Sequence, residues 1–301
     1  MVQDGDRPLS AEGAQGEDHA RAPHAARASR ECADPSPRKP ERGAKPTRLG
    51  ARRLLGVRVD ATDYDEASDR ILAMAATGGG MTCVTSVHPV MEAWDDPTFA
   101  RVLNGADLVT PDGVPIVWSL RALGIPEATR VYGPDLTPHV CAAAAKRGIP
   151  VGFYGGTEAV LDALIVRLAR EIPDLQIAFA VAPPMSDAPI AVDEAVASAI
   201  DESGVGVLFV GLGCPKQERW MAAYRDEVDC ALVGVGAAFD FLAGAKTQAP
   251  GWMQRAGLEW VFRLASEPRR LFWRYARNNP RFAVWMSLQV VATWFEERIS
   301  R

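Results

Sequence analysis

An acid that follows a buried apolar run and precedes a glycine is well placed to move a proton. Asp112 is such an acid: it ends "DLVTPDG", residues 107–113, where a strand-length run gives way to a second apolar stretch. A carboxylate mounted at a strand end is a candidate general base for a hydroxyl nucleophile. A plain Pro-Asp-Gly turn is the alternative. A second chemistry-bearing stretch is "VGLGCPKQERW", residues 210–220, in which a strand runs through glycines into a helix start. Free N–H groups at a helix N-terminus bind phosphate. Lys216 adds charge there, and Gln217 offers an amide to read a hydroxyl or a base edge. The stretch is no P-loop, because the Gly-Lys-Ser/Thr ending is missing, and Lys216 replaces the third glycine of a dinucleotide fingerprint. A tight turn with solvent-facing polar residues is again the alternative.

Two further acids read differently. Asp63 and Asp65 have the D-x-D spacing of metal-dependent sugar transferases, but acids in a first helical turn are expected from capping and the helix dipole. Asp240, in "GVGAAFDFLAGAKTQAPGW", stands two residues before Leu242 in an apolar stretch, with Lys246 further on. It reads as a helix cap or a loop holder.

Positioning these groups requires a sheet. From Leu54 the chain alternates short apolar runs with helical periods. Strands are expected at "GVRVD", "MTCVTSV", "DLVT", "IPVGFYGG", "LQIAFAVAP", "VGVLFVGLG" and "DCALVGVG". Helices are expected between them, among them one through "PVMEAWDDPTFARVLNGA" and one through "TEAVLDALIVRLAREIP". Strands apolar on both faces and separated by helices imply an α/β fold with a mostly parallel, Rossmann-like sheet. Ligands bind beyond the carboxyl ends of such strands. Four ends carry Asp or Gly: Asp112 with Gly113, Gly155 with Gly156, Gly211 with Gly213, and Gly234 with Gly236. Gly155, Gly156, Gly211, Gly213 and Lys216 are candidate substrate contacts.

Composition narrows the classes. The chain has 301 residues, 48% apolar and 24% charged, as soluble globular proteins do. A net charge of -5 excludes a general nucleic-acid coat. The five cysteines and four histidines show no metal-ligand spacing, which argues for a reducing compartment and against zinc or a disulfide framework. Residues 1–50 hold almost no large apolar side chains and read as a disordered tail without the apolar core of a secretory signal. Residues 51–251 form the α/β core. Residues 252–301 form a helical appendage in which Trp, Phe, Tyr and Leu alternate with Arg255, Arg263, Arg269, Arg270, Arg274, Arg277 and Arg281. Basic, aromatic helices of this kind suit an anionic membrane surface, or else pack on the core with solvated arginines. No apolar run reaches the roughly 18–20 residues of a spanning helix.

Taken together, "HPVMEAWDDPTFARVLNGADLVTPDGVPIVWSLRALG", "RVYGPDL", "GFYGG", "VGLGCPKQERW", "GVGAAFDFLAGAKTQAP" and "GLEWVFRLASEPRRLFWRYARNNPRF" resemble the WecG/TagA/CpsF glycosyltransferases, glycosyltransferase family 26. The likeness runs in order from about Leu54 to about Trp285. It implies an inverting transfer of a sugar, N-acetylmannosamine-type or glucose-type, from a UDP-sugar to a sugar on a polyprenyl diphosphate, for a cell-surface polysaccharide. The resemblance puts Asp112 on the proposed general base. It puts Thr85 near the start of the substrate cleft, Arg130 on an arginine that meets acceptor or diphosphate, and Gln217 in the same pocket. Arg269, Arg270, Arg274 and Arg277 fall in the appendage that closes the site and touches the membrane. The implied partners are the UDP-sugar donor, the lipid-linked acceptor and an anionic membrane surface, with a possible homo-oligomer and no nucleic acid. The implied location is cytoplasmic, peripheral on the inner face of the cytoplasmic membrane. No cofactor or metal is expected; helix N-termini and arginines take the leaving diphosphate. Two positions depart from the family pattern: Val87 stands where many members have Asn, and Ala237-Ala238 where a glycine pair is common. Two alternatives stay open: an NAD-linked oxidoreductase, which needs a cleaner glycine turn, and a non-catalytic family member.

Overall fold

The computed structural model describes residues 50–184 and 190–299. The expected disordered tail, residues 1–50, lies outside the described residues apart from Gly50. The described chain begins with an antiparallel hairpin, β1 (Ala51–Leu54) and β2 (Val57–Asp60). Its turn is Leu55-Gly56, both with positive φ, at 49° and 88°, the geometry that suits a two-residue hairpin. "GVRVD" therefore supplies a hairpin strand rather than the first strand of the main sheet.

Six strands form that sheet, in the order β4 (Leu108–Pro111), β3 (Gly80–Thr85), β8 (Ala231–Gly234), β7 (Val207–Gly211), β5 (Val151–Gly155), β6 (Ile177–Val181). Every pairing in it is parallel. Period-2 alternation sends Met81, Cys83, Leu208, Val210 and Leu232 into one apolar layer. It sends Val84, Val207, Phe209, Ala231 and Val233 into the other. The first layer is covered by α2 (Val87–Asp95), α3 (Pro97–Asn104), α4 (Val114–Ala122) and α8 (Lys216–Tyr224). The second is covered by α1 (Tyr64–Ala76), α5 (Gly133–Lys146), α6 (Glu158–Glu171) and α9 (Ala238–Leu242). Helix α7 (Glu194–Glu202) completes the crossover from β6 to β7, adding Ala197 and Ile200 to the first layer.

Adjacent strands β3 and β8 thus feed helices on opposite faces, α2 and α9. A crevice opens between such strand ends. The single helix expected through residues 89–106 is two, α2 and α3. Pro97 starts the second, and the Asp96 carboxylate caps it by accepting from Thr98 N–H at 2.8 Å.

The C-terminal segment forms α10 (Gly251–Arg255), α11 (Glu259–Ser266) and the 32-residue α12 (Pro268–Ile299). Helix α12 places Phe282 and Met286 in the same apolar layer as α2. The Gln289 amide ties it to the hairpin, accepting from Leu55 N–H at 2.8 Å and donating to the Arg53 carbonyl at 2.6 Å.

Close approach of β5 and β7 explains one glycine. Gly155 has φ 125°, and a Cβ there would lie 2.6 Å from the Gly211 carbonyl carbon. Gly155→Ala combines a disfavoured backbone with a backbone clash. It is expected to lower unfolding free energy by about 1–3 kcal/mol, measurable as a lower urea midpoint at unchanged m-value.

Candidate active site

Neighbouring segments hold the tip of β4. Asp112 N–H donates to the Thr85 carbonyl at the end of β3, and Val131 N–H donates to the Pro111 carbonyl, both at 2.9 Å. The carboxylate of Asp112 therefore has a rigid mount. Gly113 follows with φ -76° and ψ 138°, a conformation open to any residue. Its glycine is not needed for the turn; it lines the cleft and leaves space beside the acid.

Arg130 organises this wall. Its Nε donates to the Asp112 carbonyl, and its Nη2 donates to Asp112 Oδ1 at 3.2 Å and to Glu259 Oε2 at 2.7 Å. The Gln254 side-chain oxygen takes a further bond at 3.4 Å, and the guanidinium lies 4.0 Å above the Tyr132 ring centre. Two carboxylates share one cation. Only 23% of the Asp112 side chain and 15% of Glu259 remain exposed. Burial pushes the Asp112 carboxyl up to about 6; Arg130 draws it down and Glu259 pushes it further up. Burial opposes the charge on Arg130, but Asp112 and Glu259 outweigh it and hold that group above its ordinary value.

The loop after β7 forms another wall. Gln217 is buried, and its Oε1 accepts from the N–H groups of Gly213 and Gly236 at 3.2 and 3.0 Å. One side chain thereby joins the loops after β7 and β8. Its Nε2 donates to Glu218 Oε1 at 2.9 Å. His88, from α2, hydrogen-bonds the backbone of Cys214 and meets the Asn278 amide of α12 at 3.0 Å. Burial, reinforced by Arg274, pushes His88 down to about 4, so it is neutral at pH 7.

Arginines from the C-terminal helices complete the cleft: Arg263 on α11, Arg270 and Arg274 on α12. The buried Nε atoms of Arg263 and Arg274 find no hydrogen-bond partner among the described residues. Burial, together with the like charges of Arg263 and Arg270, pulls Arg274 below its ordinary value. Clustered, dehydrated cations of this kind attract an anion.

Of the residues singled out from sequence, Asp112, Arg130, Gln217, Gly213, Arg270 and Arg274 line one cleft. Thr85, Gly155, Gly156, Gly211, Lys216, Arg269 and Arg277 are not among its lining residues. Thr85 is fully buried and acts on Asp112 through its carbonyl. Gly155 serves strand packing, Gly211 makes room for the Phe239 ring, and Gly156 also lies near that ring. Arg277 turns away to Asp95, at 2.9 Å, where Arg281 also binds. Arg130, implied to meet acceptor or diphosphate, lines the cleft and bonds Asp112 and Glu259 there. Asp63 caps α1, Asp65 meets His139 at 2.8 Å, and Asp240 pairs with Lys246 at 2.8 Å while its carbonyl accepts the Lys246 N–H. Sequence reasoning missed Glu259, Arg263, Glu218, His88 and Asn278. For Glu259 a signal existed, as one of two acids among the arginine-rich residues 252–285.

An open parallel α/β sheet with a strand-end carboxylate facing cations has the architecture of enzymes that hold their ligands at the strand tips. The sequence model of the glycosyl transferase WecG/TagA/CpsF family matches residues 52–295, and the chain belongs to this family of glycosyltransferases. It is 33% identical over 192 residues to the N-acetylglucosaminyldiphosphoundecaprenol N-acetyl-β-D-mannosaminyltransferase of Bacillus spizizenii, covering 64% of this chain and 72% of that one. A protein of the same name from Bacillus subtilis is 28% identical over 204 residues, covering 67% of this chain and 77% of that one.

The raised Asp112 value has a stability consequence. Between the usual 3.8 and about 6 the folded state binds more protons than the unfolded one. Stability therefore falls as pH rises through this window, and the deficit is complete above it. Asp112→Asn is expected to be more stable than wild type by about 1–3 kcal/mol at pH 8, with the difference shrinking toward pH 4. Thermal unfolding at the two pH values checks this.

Proposed function

We propose that the protein is an inverting, metal-independent glycosyltransferase that moves a sugar from a UDP-sugar to a polyprenyl-diphosphate-linked sugar during cell-surface polysaccharide synthesis. The observation that carries this reading is the presence, in one cleft, of the largely buried Asp112 carboxylate and of Arg263 and Arg274, whose buried Nε atoms have no partner among the described residues. One group suits an attacking hydroxyl, the other a departing diphosphate. The names of the Bacillus relatives favour N-acetylmannosamine as the sugar moved and N-acetylglucosaminyl diphosphoundecaprenol as its acceptor.

In the proposed step Asp112 takes the proton of an acceptor hydroxyl as that oxygen attacks the anomeric carbon. The bond from that carbon to the diphosphate breaks on the opposite face, and the electron pair leaves with UDP. One displacement turns an α-linked donor into a β-linked product, in keeping with the relatives' name. Arg263, Arg270 and Arg274 stabilise the charge that develops on the diphosphate. Arg130 holds Asp112 in place as a positioning residue. Metal independence is supported by the acids of the D-x-D spacing, which are engaged in a helix cap and with a histidine.

A lipid-borne acceptor requires contact with a membrane. Among the described residues no helix is long and apolar enough to cross one. Helix α12 exposes Trp285, Leu288, Val291, Trp294, Phe295 and Ile299. These are the proposed seat on the inner face of the cytoplasmic membrane.

The reading is tested by transfer from a panel of labelled UDP-sugars to short-chain prenyl-diphosphate acceptors, with EDTA present. Asp112→Asn is expected to lower kcat by about 10²–10⁴-fold; normal turnover would remove the base assignment. The pH profile of kcat/KM should fall on the acid side near pH 6, where Asp112 takes up its proton. Glu259→Gln, which deletes a charge that raises that value, should move this limb to lower pH. Replacing Trp285, Leu288, Trp294 and Phe295 by Ser is expected to reduce sedimentation with phosphatidylglycerol vesicles while sparing transfer to a short-chain acceptor. Unchanged sedimentation would remove the membrane seat.

A further inference from the structure

Glu218 is a buried carboxylate for which the reaction above has no use. It stands in the first turn of α8, is 1% exposed, and lines the cleft beside Gln217 and Cys214. Its two oxygens differ. Oε1 accepts from Gln217 and the Cys214 thiol also bonds the carboxylate, whereas the buried Oε2 has no N–H or O–H donor among the described residues. A buried acceptor left unpaired is costly and marks a place where a partner is missing. Glu218 is also fixed, because the Gln217 amide that holds it is itself bonded to the backbone N–H groups of Gly213 and Gly236.

The surroundings define the missing partner. Among the described residues no cation pairs with Glu218, while Arg130, Arg263 and Arg274 line other parts of the same cleft. Phosphates belong with Arg263 and Arg274 and would be repelled by this carboxylate. What fits Oε2 is a neutral hydrogen-bond donor. Burial pushes the Glu218 carboxyl up to about 7, and a ligand N–H or O–H would favour its ionised form.

We infer that Glu218 is a specificity-determining residue of this cleft, whose Oε2 accepts a hydrogen bond from a hydroxyl or amide N–H on an uncharged part of a substrate. The inference rests on the glycosyltransferase reading. A site built to bond such a donor rejects an analogue that lacks it, because its own polar group is then stranded. Three parts carry suitable donors: the nucleoside of the donor, the sugar of the donor, and the sugar of the acceptor.

Calorimetric titration separates them. Wild type, Glu218→Gln and Glu218→Met are titrated with UDP, with UDP-N-acetylmannosamine, and with a short-chain prenyl-diphosphate N-acetylglucosamine. The Gln variant keeps the shape and, through its amide oxygen, the bond to Gln217, but turns an NH2 group toward the ligand. Met removes the polar group altogether and is read on the same ligands should the Gln variant not fold. The expected result is an affinity loss of about 10- to 100-fold for the ligands that carry the group, with at least one ligand unaffected. Loss with both UDP and UDP-N-acetylmannosamine assigns the nucleoside, loss with UDP-N-acetylmannosamine alone the donor sugar, and loss with the prenyl compound alone the acceptor sugar. Wild-type affinity for all three ligands would overturn the inference. So would equal loss for all three, which marks a distorted cleft. Wild type that binds none of the ligands would overturn the proposed function and this inference with it.

Discussion

One guanidinium between two carboxylates is the constraint on which the site depends. Arg130 binds Asp112 on the core and Glu259 on α11, with all three side chains largely removed from water. Removing Arg130 from such a cluster leaves two uncompensated buried carboxylates, which is far costlier than losing an exposed ion pair. The cluster thus couples the strand tip to the C-terminal helices. Without α11 the pairing of Asp112 changes, and with it the pKa. The candidate base and the segment that supplies the arginines are parts of one electrostatic unit.

The sheet explains why this unit sits where it does. Strands β3 and β8 are neighbours that send their chains to opposite faces, so the space above their ends is left open by the connections themselves. Asp112 enters from the β4 side and Gln217 from the β7 side. Each is tied to backbone rather than to mobile side chains: Asp112 through the Thr85 carbonyl, Gln217 through Gly213 and Gly236. Helix α12 closes the arrangement from above because several independent contacts hold it: Asn278 to His88, Arg277 and Arg281 to Asp95, and Gln289 to the hairpin.

The sheet and Asp112 were legible in the sequence because both depend on short-range pattern. A strand buried on both faces reads as an unbroken apolar run, and a strand-end acid shows itself beside its glycine. What stayed hidden depends on pairing across the chain. Gly155 and Gly211 have the look of ligand contacts at strand ends, yet the small size of Gly155 lets β5 approach β7 and that of Gly211 admits the Phe239 ring of α9. Gln217 offers an amide at a helix start, yet that amide is committed to two loops. The arginines of the appendage are alike in type. Only the position of Asp95 divides Arg277 and Arg281, which hold the helix, from Arg270 and Arg274, which line the cleft. The break between α2 and α3 at Asp96-Pro97 was written in capping chemistry and was readable, but the apolar period on either side masked it.

The cleft is therefore unbalanced in two opposite senses. Around Asp112 and Glu259 two carboxylates answer one arginine, and burial makes ionisation of Asp112 unfavourable. Around Arg263 and Arg274 dehydrated cations lie close together with Nε groups unpaired among the described residues. Paired directly, the two sets would form salt bridges and the site would be inert. Arg130 engages both carboxylates from its own side, which leaves Arg263 and Arg274 without a carboxylate partner among the described residues. A substrate that brings a hydroxyl proton to the first set and a diphosphate to the second relieves both imbalances at once. The stability forgone by keeping them apart is the preorganisation that such a transfer needs.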